Sequence, residues 1–351
     1  MRVVVIGGGV MGCATALELA RRGVRDVVVL ERAVPGAEAS SAAAGMLAAQ
    51  VESHDDGERA RYVLARAAYA SWAEELRAET GIDIGYRRSG VLEIAASAED
   101  EERLRARVRS NEAAGLAASW VDAAGARALE PALTSDLRGA AWFPDEAQID
   151  PPQLLRALVA AVARSGVVVR SGSTVSALAL EGEACRGVIV DGGEELAADA
   201  VVLAAGSWSS LVPGVPRSLA VRPVRGQLVL LEERPPRLRR IVFGGGGYVV
   251  PRGDGRVVCG STMEDVGHRR EVTAAGVQGI LANAIRIAPA LGAAELSRAW
   301  CNFRPHAAGG PLVGASSVRG LFLATGHHRN GILLAKVTAE AAAAAVVTAS
   351  A

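Results

Sequence analysis

The apolar positions of this chain follow two patterns. Short runs of aliphatic residues near positions 3, 28, 168, 202 and 322 show no polar alternation, which predicts strands buried on both faces, as in a parallel sheet. Longer segments at 222–231 and 241–250 alternate apolar and polar residues and predict antiparallel strands, with 253–255 as a hairpin turn into 256–260. The pattern therefore predicts an α/β fold in which antiparallel strands interrupt a parallel sheet.

Helical periodicity fills several of the intervening segments. In the segment 58–80, apolar residues recur every fourth position, at Leu64, Ala68, Trp72 and Leu76. This spacing predicts one amphipathic helix with that stripe in the core. Capping residues predict three further helix starts, at Ser97, Asp122 and Asp150, the last with Pro151 in the first turn. The segment 173–199 predicts a meander of short strands.

The first strand leads into a glycine-rich turn. Gly7, Gly9 and Gly12 form the pattern G-x-G-x-x-G, and Glu31 ends the next predicted strand nineteen positions after Gly12. In a dinucleotide-binding turn, such glycines allow the tight turn, the approach of a pyrophosphate and the packing of the helix, and the carboxylate accepts hydrogen bonds from a ribose. The alternative is an ordinary glycine-rich strand-to-helix turn.

Two other segments are rich in small residues. The segment 40–47 contains Ser, Ala and Gly before Met46 and Leu47, which is typical of backbone lying against a flat, bulky ligand. An alanine-rich helix start, capped by Ser40 or Ser41, explains the same residues. Near the C-terminus, a strand, a glycine turn at 326–331 and a helix start together predict a second site where backbone amides meet an electron-rich ligand.

Composition and charge restrict the partners. The chain has 351 residues, 50% of them hydrophobic, and equal numbers of basic and acidic residues, 38 each, so no nucleic acid or anionic membrane is expected as a partner. The cysteines are widely spaced, at Cys13, Cys185, Cys259 and Cys301. They predict buried thiols of a cytoplasmic protein, not disulfides or a metal site. Because a strand begins at residue 2 or 3, no signal peptide is expected, and no apolar stretch of membrane-spanning length is expected either.

The positions of the two strand types predict a discontinuous domain organisation. A Rossmann-type nucleotide-binding domain is predicted from residues 1–80, 145–218 and 300–351. An antiparallel-sheet substrate domain is predicted from residues 81–144 and 219–299.

Several motifs together resemble one family. The order of these segments is similar to that in the FAD-dependent amino-acid and amine oxidases of the D-amino acid oxidase superfamily, and most similar to the bacterial glycine oxidases of the thiamine pathway. The segments are 7–12 with Glu31, 40–47, 201–208, 222–227, 248–252, 261–267, 304–305 and 326–334. The resemblance implies non-covalent FAD in the Rossmann-type domain.

The resemblance also implies site residues. Those near the ADP half of FAD are Val10, Met11, Glu31 and Arg32, beside the turn glycines Gly7, Gly9 and Gly12, with Val175 at the adenine end. Those along the pyrophosphate and flavin are Ser40, Ser41, Gly45, Met46, Leu47 and Gly206. Those whose amides would face the flavin pyrimidine edge are Gly326, His327, His328, Arg329, Asn330, Gly331, Ile332 and Leu333.

For the reaction, the resemblance implies that hydride passes from the substrate Cα to flavin N5. The imine product is then hydrolysed, and O2 is the expected acceptor, giving H2O2. Arg304, with Arg329, would pair with a substrate carboxylate, and Tyr248 would close the pocket. The alternatives are that Arg304 binds strand-end carbonyls and that Tyr248 is an aromatic side chain on a strand face.

The chain departs from this family at two places. Residues 306–310 replace a segment that usually contains an aspartate, and Gly244, Gly245, Gly246 and Gly247 replace larger side chains. The glycines predict either an enlarged pocket, which would favour a substrate larger than glycine, or a surface turn.

Cys301 lies near the position where related sarcosine oxidases bind flavin covalently, although a buried inert thiol is the alternative. The histidines His54 and His268 are expected on the surface.

The sequence leaves three other functions open. The first is a flavin dehydrogenase or oxidase of a larger secondary amine, a D-amino acid or an imino acid. The second is a Rossmann-type NAD enzyme, and the third is a flavin-binding subunit that needs a partner. A homo-oligomer without bound metal is expected.

Overall fold

The computed structural model describes residues 1–349, which contain both strands and helices. The strands are β1 Arg2–Ile6, β2 Asp26–Glu31, β3 Met46–Leu47, β4 Val91–Ala95, β5 Ser119–Asp122, β6 Gly139–Phe143, β7 Ala147–Gln148, β8 Val168–Ser171, β9 Val175–Glu181, β10 Ala184–Val190, β11 Glu195–Ala197, β12 Ala200–Leu203, β13 Val221–Glu232, β14 Ile241–Gly244, β15 Gly247–Pro251, β16 Arg256–Gly260, β17 Glu295–Ala307, β18 Leu312–Ala315 and β19 Leu321–Thr325. The α-helices are α1 Val10–Arg21, α2 Ala39–Ala42, α3 Asp56–Ala67, α4 Tyr69–Thr80, α5 Ala98–Ala113, α6 Ala123–Leu129, α7 Pro151–Arg164, α8 Ala274–Ile287 and α9 Gly331–Ala349. Short 3₁₀ helices occupy Gly206–Leu211, Pro289–Ala293 and His328–Asn330.

The predicted parallel sheet is confirmed. Its order is β18-β19-β12-β1-β2-β8, in which all neighbours are parallel except the edge pair β18 and β19. One face, including Val3 and Val5, packs against α1, α7 and α9. The other face, including Val4 and Ile6, packs against the small sheet β11-β10-β9, which is the predicted meander. Burial on both faces explains why these strands have no polar alternation.

The second large sheet has the order β17-β13-β16-β15-β14-β4-β6-β5. Its strands are antiparallel except for the parallel pair of β14 and β4. The single strand predicted over 241–250 is wrong: β14 and β15 are two strands of a hairpin, with Gly245 and Gly246 at φ of 59° and 82° in the turn. Because this left-handed region favours glycine, the glycine run ends one strand and reverses the chain.

The helix predicted over 58–80 is two helices. They meet at Ala68, and this junction shifts the buried face, so that Leu64 is 69% exposed. The buried side chains of the two helices include Tyr62, Tyr69 and Trp72. The four-residue stripe is therefore wrong at Leu64, because the prediction assumed one continuous helix.

The predicted caps are confirmed at two of the three sites. The side chains of Ser97 and Asp122 accept hydrogen bonds from the amides of Asp100 and Gly125. Asp150 occupies the N-cap position of α7, but its side chain makes no capping bond. It forms an ion pair of 3.0 Å with Arg256 instead, which joins α7 to the second sheet.

The domain boundary predicted at residue 300 falls inside β17. If the chain is divided into domains by its two large sheets, all of β17 belongs with the eight-stranded sheet. The helical segment His328–Ala349 is long and apolar enough to cross a membrane, contrary to the expectation from the sequence, but half of it is buried inside the protein. It packs against α1, as core helices do.

The cysteines Cys13, Cys185, Cys259 and Cys301 are free and buried, as the sequence predicts.

Candidate active site

An elongated cavity lies between the two large sheets. It runs from the glycine turn before α1, past the segment 42–46, to side chains of β15 and β17. The predicted site residues that line it are Gly7, Gly9, Val10, Met11, Glu31, Arg32, Ser40, Gly45, Met46, Val175, Gly206, Tyr248, Arg304, His327, His328, Arg329, Asn330, Gly331 and Ile332. Segments far apart in the chain therefore meet in one cavity.

Five predicted site residues do not line this cavity: Gly12, Ser41, Leu47, Gly326 and Leu333. Leu47 and Leu333 are buried in the core below it. The hydroxyl of Ser41 donates a 2.5 Å hydrogen bond to the carbonyl of Gly36. Gly326 turns the chain with a φ of 82°, and Gly12 packs α1 on β1. These residues shape the cavity without facing it.

The glycine turn has the geometry of a phosphate site. Gly9 is the N-cap of α1 and provides no capping side chain, and the first turn contains no acidic residue. Gly7 has a φ of 103°, and a Cβ on Gly12 would lie 1.8 Å from the carbonyl oxygen of Gly7. The helix N-terminus therefore presents its amides and the positive end of its dipole to the cavity, as a pyrophosphate requires.

Glu31 stands at the end of β2, beside this turn. Its carboxylate accepts hydrogen bonds from the amides of Gly8, at 2.8 Å, and Ala33, at 2.9 Å. These bonds fix the carboxylate at the cavity wall, where a ribose hydroxyl donates to an acidic residue in dinucleotide sites. Together with the N-terminus of α1, this arrangement fits the ADP half of FAD.

The small-residue segment forms a wall of the cavity. The helix α2 covers only 39–42 and has Glu38 as its N-cap, so the alternative of an alanine-rich helix start capped by Ser40 or Ser41 is wrong. Ser40 Oγ instead accepts a 3.0 Å hydrogen bond from the amide of Val10. Gly45 has a φ of 78°, and a Cβ there would lie 2.2 Å from the carbonyl oxygen of Ile149. Trp300 and Arg252 donate to the carbonyls of Ala42 and Ala44, which holds this wall in place.

Among the arginines that line the cavity, Arg304 is the one that forms no ion pair within residues 1–349. Its guanidinium donates to Ser261 Oγ at 2.8 Å and to the carbonyl of Thr262 at 3.1 Å. Within residues 1–349 no carboxylate oxygen lies within 4.0 Å of it, since Arg304 occurs in none of the ion pairs. Burial lowers the pKa of Arg304, and the nearby Arg329 acts in the same direction. An anion is therefore the missing partner of this side chain.

Arg329 differs from Arg304 because it already has a partner. Its guanidinium forms a 2.5 Å ion pair with the buried carboxylate of Glu52. The charge of Arg329 is thus largely satisfied inside the protein. Of the two predicted carboxylate anchors, Arg304 is the better candidate.

Two strand glycines, which the sequence analysis missed, make room for the side chains on the substrate side. A Cβ on Gly226 would lie 2.3 Å from Arg304 Nη1, and a Cβ on Gly260 would lie 2.6 Å from the Tyr248 hydroxyl. Tyr248 and Gly260 are direct cross-strand partners. Glycine inside an alternating strand often indicates such a close approach, which is the signal that could have identified them.

We expect Gly226→Ala to displace the Arg304 guanidinium while the FAD site stays intact. The added methyl group meets the flexible end of a side chain, so the protein should fold, and KM should rise about tenfold, equivalent to about 1.4 kcal/mol. Steady-state kinetics and flavin content check this. Gly292→Ala, where the nearest side-chain atoms lie 3.8 Å from an added Cβ, is the control. An unchanged KM in Gly226→Ala would contradict the role of Gly226.

The histidines occupy different environments. His327 is buried, its Nε2 lies 2.9 Å from Thr338 Oγ1, and burial lowers its pKa to about 3. His328 lines the cavity with a φ of 48°, and burial together with neighbouring cations lowers its pKa to about 4. His268, expected as a surface residue, stacks on Trp208 with ring centroids 4.9 Å apart. Trp208 and Phe303, also missed from the sequence, line the cavity.

The cavity lining decides between the alternatives for the glycine run and for Cys301. The four glycines 244–247 lie outside the cavity, in the hairpin of β14 and β15 beside α8, with Gly245 and Gly246 exposed in its turn. The surface-turn alternative is therefore correct, and the enlarged-pocket argument fails. Cys301 also lies outside the cavity, although its neighbours Asn302 and Phe303 line it. Burial raises the pKa of the Cys301 thiol, which disfavours the reactive thiolate.

Comparison with known proteins agrees with this geometry. The sequence profile of the family described as FAD dependent oxidoreductase matches residues 2–345. The chain belongs to this family. Its cofactor is FAD, the group that the glycine turn and the small-residue wall fit.

Within the family, the chain is similar to individual oxidases of known structure. The chain is 36% identical over 342 residues to the glycine oxidase of Geobacillus kaustophilus, covering 96% of this chain and 90% of that protein. The crystal structure of that enzyme superposes with a TM-score of 0.92 at 34% identity, covering 99% of this chain and 94% of the other. The crystal structure of an iminodiacetate oxidase from Chelativorans sp. BNC1 superposes with a TM-score of 0.88 at 27% identity, covering 99% of this chain and 95% of the other.

A further relative is longer. The chain is 38% identical over 344 residues to the bifunctional protein ThiO/ThiG of Trichormus variabilis, covering 96% of this chain but 51% of that protein. The chain thus spans about half the length of the bifunctional relatives it matches.

Proposed function

We propose that this protein oxidises a small amino acid with FAD, and that glycine is the first substrate to test. The observation that carries the proposal is the unpaired guanidinium of Arg304, which faces the same cavity as the nucleotide-binding turn. A planar, always charged fork fits a carboxylate in two parallel hydrogen bonds. The similarity to glycine oxidases supports an amino acid as the carboxylate-bearing ligand.

The protein's part in this reaction is orientation and exclusion of water. When bound, FAD accepts the hydride from the substrate Cα. Arg304 would fix the carboxylate, and Tyr248, which is buried beside it, would close the cavity above the substrate. Burial raises the pKa of Tyr248, so that it stays a neutral hydroxyl that can donate a hydrogen bond. Held by Arg304 and enclosed by Tyr248, the substrate would keep one orientation in the cavity, which would remove an entropic part of the barrier.

The residues that line the cavity support a proposal for how FAD would be held. The α1 N-terminus with Val10 and Met11 would hold the pyrophosphate, and Glu31 would bind the ribose. The segment 43–46 would lie along the flavin, and the amides of 327–332 would face its pyrimidine edge, where negative charge develops on reduction. Because Cys301 lies off the cavity, FAD would be held without a covalent bond.

The anaerobic reduction of the flavin tests the function. The purified protein is mixed without air with glycine, sarcosine, D-alanine, D-proline or iminodiacetate, and the visible flavin absorbance is followed. We expect glycine or one of these amines to bleach the flavin, and air to restore it with formation of H2O2. Bound nicotinamide without flavin, or a flavin that no amine bleaches, would contradict the proposal. A bleached flavin that air does not restore would identify a dehydrogenase instead of an oxidase.

Iminodiacetate is included for a specific reason. The solved structure of an iminodiacetate oxidase is 27% identical to this chain and covers nearly all of it. A secondary amine with two carboxylates is therefore the second candidate substrate. Faster reduction by iminodiacetate than by glycine would favour it.

We expect Glu31→Ala to weaken FAD binding about tenfold or more, because a hydrogen bond to a charged group contributes about 1.5–3 kcal/mol. The substitution also removes the acceptor for the amides of Gly8 and Ala33. Fluorescence titration of the apoprotein with FAD measures the effect. Glu183→Ala is the control, since this exposed carboxylate lies in the turn between β9 and β10. Equal FAD affinity of Glu31→Ala and the parent protein would remove Glu31 from the site.

The proposal also covers the electron acceptor, the location and the oligomeric state of the protein. We infer O2 as the acceptor, a cytoplasmic location and a homo-oligomer. The four free, buried cysteines support a reducing compartment. Size-exclusion chromatography with light scattering tests the oligomer.

A further inference from the structure

Two histidines touch each other between the reaction cavity and the surface. His328 lines the large cavity, and His306 lines a second, small cavity. Their rings meet edge to face, with centroids 4.8 Å apart and an interplanar angle of 85°. The two imidazoles are thus the shared wall of the two cavities.

The second cavity leads to solvent. It is lined by His306 and by the exposed residues Arg217, Arg222 and Ala308, among others. Arg222 is the cross-strand neighbour of His306 and forms an ion pair with Asp265. A proton that reaches His306 is therefore close to water.

Each ring keeps one buried nitrogen without a hydrogen-bond partner, Nδ1 in His306 and Nε2 in His328. A buried polar atom without a partner costs free energy, and native proteins keep few of them. A neutral imidazole has one N–H donor and one acceptor nitrogen, so two touching imidazoles can pass a proton along by a rotation of the rings. Because neither atom has a partner, the two nitrogens are not hydrogen-bonded to each other, and a proton can pass between the rings only when one of them rotates.

The proposed reaction produces a proton at this place. An amino acid in neutral solution carries an ammonium group, and its nitrogen needs a free electron pair before hydride can leave Cα and a C=N bond can form. We propose, on the basis of the function proposed above, that His328 and His306 form a relay that carries this proton from the substrate ammonium to the surface cavity. The N–H proton goes to His328, a proton passes on to His306 and then to water, and the electron pair stays on the substrate nitrogen. The hydride goes to FAD, which balances the two electrons.

The surroundings of His328 keep its ring neutral while the cavity is empty. Burial lowers the pKa of His328 to about 4, and His306 and Arg304 on β17, Arg329 on its own turn and Arg222 on β13 act in the same direction. A substrate carboxylate bound to Arg304 would offset part of that positive charge. Its arrival would raise the proton affinity of His328 at the moment when the ammonium group is present.

The rate of flavin reduction as a function of pH tests the relay. The FAD-loaded protein and its variants are mixed anaerobically with saturating glycine, or with the amine that reduces the parent protein fastest, in a stopped-flow instrument between pH 7 and 10. We expect His328→Gln and His306→Gln to slow reduction tenfold or more at pH 7.5 and to approach the parent rate within about twofold at pH 10. This convergence is expected because the free amine, which needs no relay, becomes abundant at high pH.

Controls separate the relay from a structural role. His54→Gln changes an exposed histidine outside both cavities and should keep the parent profile. A reduction that is slower by the same factor at every pH, or a parent-like profile of His306→Gln, would overturn the relay. If no amine reduces the parent protein, the proposed function fails and the relay with it. Reduction of the parent with unchanged profiles in the variants contradicts the relay alone.

A second measurement needs no turnover. In the FAD-loaded protein with ring-15N-labelled histidine, the signals of His328 are assigned by their loss in His328→Gln. We expect His306→Gln to shift the His328 ring-nitrogen signals, whereas His54→Gln leaves them in place. Signals of His328 that do not respond to His306→Gln would show that the rings are not coupled, which overturns the relay.

Discussion

Replacing Arg304 with alanine is expected to raise the substrate KM by about one to three orders of magnitude and to leave FAD bound. The variant loses the unpaired guanidinium of the cavity, so the substrate carboxylate would be buried without its counter-charge, at a cost of several kcal/mol. Arg304→Lys should recover only part of the loss, because an ammonium group lacks the planar fork. Steady-state kinetics with the best amino acid and the flavin absorbance of the purified variants measure both effects.

The matched control lies on the same strand. Arg298→Ala removes an exposed arginine of β17 whose guanidinium lies over the Trp300 ring, outside the cavity. Its KM should stay within about twofold of the parent value, since surface substitutions of this kind change free energies by about 0.5 kcal/mol or less. Wild-type kinetics of Arg304→Ala with every carboxylate substrate would contradict the assignment of Arg304 as the anchor.

Gly12→Ala is expected to reduce the affinity for FAD about a hundredfold, equivalent to about 2.8 kcal/mol, and to destabilise the protein. The new Cβ would lie 1.8 Å from the carbonyl oxygen of Gly7, a backbone atom that cannot move without distorting the nucleotide turn. The start of α1 has to shift away from β1, and its amides then miss the pyrophosphate. FAD titration of the apoprotein and urea unfolding measure the two consequences.

A second helical glycine gives the opposite expectation. Gly279 in α8 is exposed and has no atom within 4 Å of an added Cβ, so Gly279→Ala should stabilise the protein by about 0.5–1 kcal/mol through helix propensity. Its FAD affinity should equal that of the parent. The two substitutions are chemically identical, so a shared loss of FAD affinity would point to a general effect of alanine and not to the turn.

Much of the nucleotide half was predictable from the sequence because its signals are local. An uninterrupted apolar run, three glycines at fixed spacing and an acidic residue after the next strand specify a strand, a turn and a helix start within about thirty residues. The backbone geometry at Gly7 and the position of Glu31 agree with these signals.

The substrate half was less predictable because its side chains meet across long sequence distances. Among the arginines that line the cavity, Arg304 is the one without an ion pair to residues 1–349, because Glu52 pairs with Arg329, and no pattern within either segment reveals that ion pair. Gly226 and Gly260 matter through side chains of neighbouring strands: Tyr248 is the direct partner of Gly260, and Arg304 lies diagonally from Gly226, two residues along from its direct partner Asn302. The errors at 241–250 and at Leu64 have a similar origin, since a hairpin and a break between two helices change which residues face the core.

The sequence by itself determined the nature of the fold and the presence of a dinucleotide-binding turn, because alternation, glycine spacing and capping act through bonds and backbone dihedrals of neighbouring residues. FAD as the dinucleotide was implied by the resemblance of several motifs to one family. The tertiary structure alone decided which charges are compensated. It left Arg304 without a carboxylate and brought His306, on β17, against His328, which follows β19. Hydrogen-bond partners and burial depend on segments that meet only after folding, and they determine the free energy of a charge or an unpaired nitrogen.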